Sequence, residues 1–334
     1  MKTKTTIQDI ARLAGVSKAT VSHYLNEHYD KMSAKTRERI RTAIEDTGYR
    51  PSTAARSLNA KSTRLLGVII GDLTNTFSNQ LIKGLTDYVQ SHDYQLILAS
   101  SHQKEAYERK YLNSMADMGV DGFLVQPSPH FEEVWNELSI DRPLVYFDSP
   151  PKGSSALYVK TDSYRAVYEA MEMTVQRGYR HFLMLTADPT LIVTRQERAS
   201  GFLDCITRHD LSYEVLLAEH TTTADELTAL LTPYILKYEK LCIFAANNWL
   251  LKKAFQALQD FRALIPQQIG LLGMDAYEWN NLVVPPITTI LQPAEQEGIE
   301  AGRLLIHAVE GKSEALHSCI LPCHINEQLS TMMQ

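Results

Sequence analysis

Apolar positions at the start of the chain recur with the period of short helices. In residues 7–14, Ile7, Ile10, Ala11 and Ala14 are spaced three and four apart, which lines one helix face with apolar side chains. Gly15 then permits a sharp turn. Ser17 stands where a hydroxyl can cap a second helix, whose inward face is Val21, Tyr24 and Leu25. The opposite face carries Lys18, Ala19, Thr20, Ser22, His23 and Asn26, small or hydrogen-bonding side chains of the kind that reach base edges and phosphates from a helix in the major groove. A third helix is predicted over 33–47, with Ser33 as its cap, Ile40, Ala43 and Ile44 as its stripe and Gly48 as its end. After Pro51, residues 52–60 are small and polar around one large aliphatic, Leu58, too few apolar positions to fold alone. This segment reads as a hinge.

From Leu65 the pattern becomes continuous apolar runs separated by helical stretches. Strands are predicted at 65–70, 95–99, 122–125 and 144–147, with helices at 80–92 and 105–118. A second set has strands at 182–186, 215–217, 241–245 and 270–273 and helices at 198–209, 224–238 and 249–261. Uninterrupted apolar strands imply burial on both faces. The fold class is therefore α/β: a three-helix head and hinge, then two lobes of parallel sheet flanked by helices. Ligands of such sheets bind at the carboxyl ends of the strands, so two facing lobes would enclose a solute between them.

Charge separates the head from the rest. Residues 1–64 hold 13 Lys and Arg against 6 Asp and Glu, a net of +7, whereas the remainder holds 20 against 33, a net of −13. A basic end on an acidic body is expected when only one end meets nucleic acid. At 334 residues, 44% hydrophobic and 22% charged, the chain has the size and composition of a two- or three-domain globular protein. The start, Met-Lys-Thr-Lys leading directly into a helix, and the absence of any apolar run near eighteen residues point to neither signal nor membrane span, hence to the cytoplasm and no membrane partner.

Candidate chemistry is sparse. No Gly-x-Gly-x-x-Gly follows the first strand, no phosphate loop is present, and no Gly-x-Ser-x-Gly elbow occurs, so no enzyme activity or catalytic residue is expected. Cys205, Cys242, Cys319 and Cys323 fit reduced core thiols. His317, Cys319, Cys323 and His324 lack the paired spacing of a structural zinc site, and neither metal nor cofactor is expected.

The motif Ile-x-Asp-Ile-Ala-x-x-Ala-Gly-Val-Ser-x-x-Thr-Val-Ser at positions 7–22 resembles the DNA-binding head of the LacI/GalR family of bacterial transcription regulators. Tyr49-Arg50-Pro51, Ala55-Arg56-Ser57-Leu58, Asp121-Gly122, Arg198-Ala199-Ser200-Gly201-Phe202, Gly273-Met274-Asp275 and Pro286 through Pro293 extend the resemblance over nearly the whole chain. It implies a helix-turn-helix head at 1–50, a hinge at 51–62 and an effector-binding, dimerising body at 63–334 similar to a periplasmic sugar-binding protein. Within that body, lobe 1 would comprise about 63–160 plus 293–321, and lobe 2 about 161–292 plus 322–334.

The resemblance also implies Lys18, Ala19 and His23 at base edges, with Thr6, Ser17, Thr20, Ser22, Asn26 and Arg56 contributing to the DNA contact. Leu58 would wedge between base steps of the minor groove, a use that fits a lone large aliphatic in a polar hinge; the alternative is that it packs on the body. For the effector it implies Thr76, Phe77, Thr194, Arg198, His220, Asn247, Trp249, Asp275 and Gln292, with Asp148 and Lys160 at the cleft edge. For Arg198 the alternative is a surface pair with Glu197.

Two departures bear on the ligand. Asn247-Asn248-Trp249 replaces the family's usual Asn-Asp pair, removing a rim carboxylate, while Arg195 and Lys160 stand near positions often uncharged in the family. Both favour an anionic solute. The stretch Asp275-Ala276-Tyr277-Glu278-Trp279 resembles the ketodeoxygluconate-responsive branch. The expected protein is a homodimeric repressor of carbohydrate or sugar-acid catabolism genes, with double-stranded operator DNA and a sugar, sugar acid or sugar phosphate as partners. A solute-binding protein or an α/β enzyme using the same cleft is the alternative. No heptad pattern follows the second lobe, so no tetramerising helix is expected.

Overall fold

A side-chain cap opens each of the three α-helices described in the head. In the computed structural model, which describes residues 5–49, 62–312 and 316–333, α1 (Ile7–Ala14) starts at Thr6, which accepts from the Asp9 amide while the Asp9 carboxylate accepts from the Thr6 amide at 3.0 Å. Gly15 ends it in the left-handed region at φ 61°, where a side chain would be strained. Ser17 accepts from the Thr20 amide at 3.1 Å and starts α2 (Lys18–Leu25). Ser33 does the same for α3 (Ala34–Thr47), which Gly48 terminates, again left-handed. Ile10, Ala11, Ala14, Val21, Ile40, Ala43 and Tyr49 bury a shared core, Ile10, Val21 and Ile40 each contributing roughly 1.5–3 kcal/mol. The expected hinge, with Arg56 and Leu58, lies outside the described residues up to Lys61.

Residues 1–63 form one unit and 64–334 another. In the second unit, β1 (Leu65–Ile70), β2 (Gln95–Ser100), β3 (Gly122–Val125), β4 (Leu144–Phe147) and β5 (Leu157–Thr161) alternate with α4 (Thr76–Ser91), α5 (Glu105–Asp117) and α6 (Phe131–Leu138). The chain then passes through α7 (Ser163–Gln176), β6 (His181–Thr186), α8 (Val193–Arg208), β7 (Ser212–Leu217), α9 (Ala224–Lys237), β8 (Leu241–Ala245), α10 (Asn248–Ala257), β9 (Ile269–Met274) and β10 (Thr288–Leu291). It returns by α11 (Ala294–Val309) to the short strands β11 (Cys319–Leu321) and β12 (His324–Asn326).

Two six-stranded sheets result, ordered β11-β5-β4-β3-β1-β2 and β12-β10-β9-β8-β6-β7, every pairing parallel except β10 with β12. The chain changes sheet after Thr161, between Leu291 and Ala294, and between Leu321 and His324. Strand alternation divides the side chains between two helical layers. Leu66, Val68 and Ile70 pack with α4 and α11, whereas Ile69, Phe123 and Val125 pack with α5 and α6. In the other lobe Leu183, Leu185 and Ile243 face α9 and α10, while Phe182, Met184 and Phe244 face α7 and α8.

Glycine allows α4 and α11 to touch: a Cβ on Gly84 would fall 2.0 Å from the Glu295 carbonyl oxygen, and one on Gly298 2.0 Å from that of Leu81. Burial on both faces does not extend to the edge strands. Most of β2 and β7 is exposed or half-buried, because each ends its sheet and lacks a neighbour on one side. Cys205 and Cys242 are buried, but Cys319 and Cys323 are only half-buried, so the reading of all four as core thiols is corrected for that pair. No helix among the described residues is long and apolar enough to cross a membrane.

Candidate functional site

The head presents its polar face on α2. Lys18, Ala19 and Asn26 are exposed and Thr20, Ser22 and His23 half-buried, while Val21 on the other side is fully buried. Several of these side chains already organise the helix. Ser17 and Thr20 hydroxyls share a hydrogen bond of 2.9 Å, and the Asn26 amide donates to the Ser22 carbonyl at 3.0 Å. Among the described residues the side chains of Lys18 and His23 hold no hydrogen bond, and the His23 ring lies edge-on to that of His28 with centres 6.0 Å apart. Thr6 is the cap of α1.

In the second unit a cavity of about 340 Å³ opens at the carboxyl ends of both sheets. Gly71 after β1, His102 and Gln103 after β2, Gln126 after β3 and Asp148 after β4 line one side. Thr194, Arg195 and Arg198 on the first turns of α8, His220 after β7, Asn247 to Trp249 after β8, Asp275 after β9 and Gln292 after β10 line the other. Asp148, Asp275, His102 and Gln103 all hold positive φ, between 49° and 61°. Non-glycine residues rarely adopt that conformation, and strand-end strain of this kind gathers at functional sites.

Asp275 and Arg198 sit at the floor, 3% and 7% exposed. Asp275 accepts from the Gln292 amide and the Tyr277 hydroxyl, both at 2.9 Å, and from Gln292 Nε2 at 2.5 Å. Burial pushes its carboxyl up, with the Arg198 charge as the main opposing influence. Arg198 Nη1 donates to the Ala246 carbonyl at 2.9 Å, whereas its Nε is buried without a partner. Arg195 has no ion pair among the described residues; burial and the neighbouring Arg198 both lower its pKa. On the far wall, Asp148 accepts from Gln126 at 2.7 Å and Ser149 at 2.9 Å, and its amide donates to Glu297 at 2.6 Å. Glu297 is fully buried and held well above the usual carboxylate range, first by desolvation and then by the charge of Asp148. His220 stacks on Trp249 with ring centres 4.0 Å apart, and burial lowers its pKa.

Nine of the eleven expected effector residues line the cavity: Phe77, Asp148, Thr194, Arg198, His220, Asn247, Trp249, Asp275 and Gln292. Lys160 does not. Its ammonium pairs with Glu197 across the lobes, so its charge is spent between them, and the alternative pairing of Glu197 with Arg198 fails for the same reason. Thr76 stands at the rim, where its hydroxyl accepts from Asn248 Nδ2 at 3.4 Å. The same Asn248 amide donates to Asn75, so the residue that replaces the rim carboxylate supplies a donor that an aspartate lacks. Ser149 and Thr194 add a third interlobe contact at 2.7 Å. Asp72, Asn75, Ser78, His102, Gln103 and Gln126 also line the cavity and were not anticipated. Their common signal is position just beyond a strand's carboxyl end or at the start of α4.

The pattern described as "Bacterial regulatory proteins, lacI family" matches residues 6–52, and that of a "Periplasmic binding protein-like domain" matches 171–331. The HTH-type transcriptional repressor PurR of Vibrio parahaemolyticus is 31% identical over 312 residues, 92% of each chain. The HTH-type transcriptional regulator KdgR of Bacillus subtilis is 28% identical over 315 residues, 93% of each. A solved structure of the lac repressor dimer bound to operator and the anti-inducer ONPF superposes with a TM-score of 0.83 at 20% identity, covering 98% of this chain and 99% of that one.

Proposed function

The chain belongs to the lacI family of bacterial regulatory proteins and is a transcriptional regulator, and from that premise we propose that it is a homodimeric repressor whose effector is a small anionic sugar derivative. The genes it controls are those of carbohydrate or sugar-acid catabolism, and acting on DNA puts it in the cytoplasm. Lys18, Ala19 and His23 read operator bases from α2, Thr6, Ser17, Thr20, Ser22, Asn26 and Arg56 hold the backbone, and Leu58 opens a minor-groove step. The cleft binds and does not catalyse.

The observation that carries the effector class is the imbalance of hydrogen-bond capacity at the floor. Both oxygens of Asp275 are occupied by protein donors, whereas Arg198 Nε is buried without an acceptor and Arg195 has no ion pair among the described residues. A solute bringing a carboxylate or phosphate satisfies both guanidinium groups, and its hydroxyls meet Asp148, Asn247 and Gln292. The Trp249–His220 stack offers apolar surface for a sugar face, while Phe77, 4% exposed and packed in the core, reaches the cavity only at its edge.

Calorimetry with matched pairs, each a neutral sugar and its acid or phosphate, tests this directly. Tighter binding of the charged member by tenfold or more is expected; equal affinity within each pair overturns the anionic assignment. Thermal unfolding gives a parallel readout, because a ligand at a hundred times its dissociation constant stabilises the bound unit by about 2.7 kcal/mol.

A further inference from the structure

Away from the cleft, α7 and α8 bring three metal-ligating side chains to one point. Cys205 and His209 lie one helical turn apart, the His209 amide donating to the Cys205 carbonyl at 3.3 Å, so both project from one side of the end of α8. Glu172 meets them from α7. The helices approach closely because Gly201 leaves room: a Cβ there would lie 2.4 Å from the Tyr164 carbonyl oxygen. His209 Nε2 is 2.8 Å and Cys205 Sγ 3.8 Å from the same carboxylate oxygen, Glu172 Oε2, and all three ligand atoms lie within 4.8 Å of one another.

We propose that Glu172, Cys205 and His209 form a three-ligand site for a zinc-class divalent cation, with the fourth position taken by water. Bond lengths of about 2.0 Å to nitrogen, 2.1 Å to oxygen and 2.3 Å to sulfur in a tetrahedron put ligand atoms roughly 3.3–3.6 Å apart. The sulfur–oxygen distance is already close to that, and the His209–Glu172 pair must open by about half an ångström. Both of those side chains can move, being 32% and 30% exposed, whereas Cys205 is fully buried and fixed.

The carboxylate is oriented from behind. Gln176 Nε2 donates to Glu172 Oε1 at 3.3 Å, leaving Oε2 to face the cluster, the kind of outer support that metal carboxylates use. Binding forms the sulfur–metal bond and releases the Cys205 thiol proton to water; the neutral imidazole coordinates through Nε2, and no electron transfer is involved. The Arg208 guanidinium, whose charge is felt at Cys205, donates to the Tyr168 hydroxyl at 2.7 Å and is thereby held by another group.

The site is tested on the full-length, untagged chain with cobalt(II) and zinc(II) alone. One equivalent of cobalt should give a thiolate-to-metal absorption band that zinc abolishes, with zinc affinity read by competition against a chromogenic chelator. Cys205→Ser should remove the band, while Cys319→Ser and Cys323→Ser keep it. His209→Gln, at a partly exposed position that leaves the core intact, should weaken zinc at least tenfold without changing the melting temperature in chelator. No band at one equivalent, a band that survives Cys205→Ser, or unchanged zinc affinity in His209→Gln would each overturn the proposal.

Discussion

Replacing Arg198 by alanine removes the guanidinium whose Nε is buried and unpartnered while Nη1 holds the Ala246 carbonyl. The ligand-facing side of that fork offers two charge-assisted hydrogen bonds, each contributing about 1.5–3 kcal/mol. Losing both, about 3–6 kcal/mol, corresponds to an effector dissociation constant roughly a hundred- to twenty-thousand-fold larger. A second consequence falls on Asp275, for which Arg198 is the main favourable charge. Without it the buried carboxylate is less well compensated and the body should lose roughly 1–3 kcal/mol of stability. Calorimetry gives the affinity, thermal unfolding the stability, and fluorescence anisotropy on operator DNA the retained function of the head. Arg198→Lys, which keeps the charge without the planar fork, should recover only part of the affinity. Effector binding within threefold of the parent in Arg198→Ala would refute the reasoning.

Other outcomes follow from the same chemistry. Leu58→Ala should leave effector affinity and the melting temperature of the body unchanged while weakening specific DNA binding and reducing the bend; gel-shift titration on circularly permuted fragments reads both. Substituting Lys18, Ala19 and His23 together should change the sequence recovered by selection from random duplexes, each good base contact carrying about 1–3 kcal/mol of discrimination. Glu297 is protonated more readily in the folded protein than in the unfolded chain, so its contribution is full below the unfolded value and is lost as pH rises through the raised folded one. Asp148, Asp275 and Arg198 are the charges that face it. Glu297→Gln should therefore raise the melting temperature at pH 8 more than at pH 5, and an equal change at both would contradict this.

The head and the central strands were legible because their residues obey one local rule at a time. Ser17 and Ser33 are caps, Gly15 and Gly48 are helix stops, and Leu65–Ile70 and Leu241–Ala245 are apolar throughout since both sheet faces are covered. The edge strand β2 was legible from Gln95 onward, but the start of β7 at Ser212–Glu214 was not, because a polar residue such as Glu214 belongs to a strand there only through pairing with β6 at the sheet's edge, a property of topology. Helix α11 escaped notice although Ala301, Leu304 and Leu305 repeat at helical spacing; Gly298 and Gly302 weaken the pattern, and they are there to admit α4. At the cleft, residue types pointed to Arg198 and Asp275. The fate of Lys160 turned on a partner, Glu197, that only the juxtaposition of the lobes supplies.

The central claim is that a solute in the cleft alters DNA binding by the head, and operator titration with and without the effector tests it most directly. Labelled operator, obtained by selection, is titrated with the full-length protein at fixed salt, since phosphate contacts make affinity strongly salt-dependent. An anionic sugar derivative at saturating concentration should shift the dissociation constant by about 5- to 150-fold, the range of 1–3 kcal/mol of coupling, and Arg198→Ala should abolish the shift at the same effector concentration. An effector that binds the cleft by calorimetry yet leaves operator affinity unchanged would contradict the account.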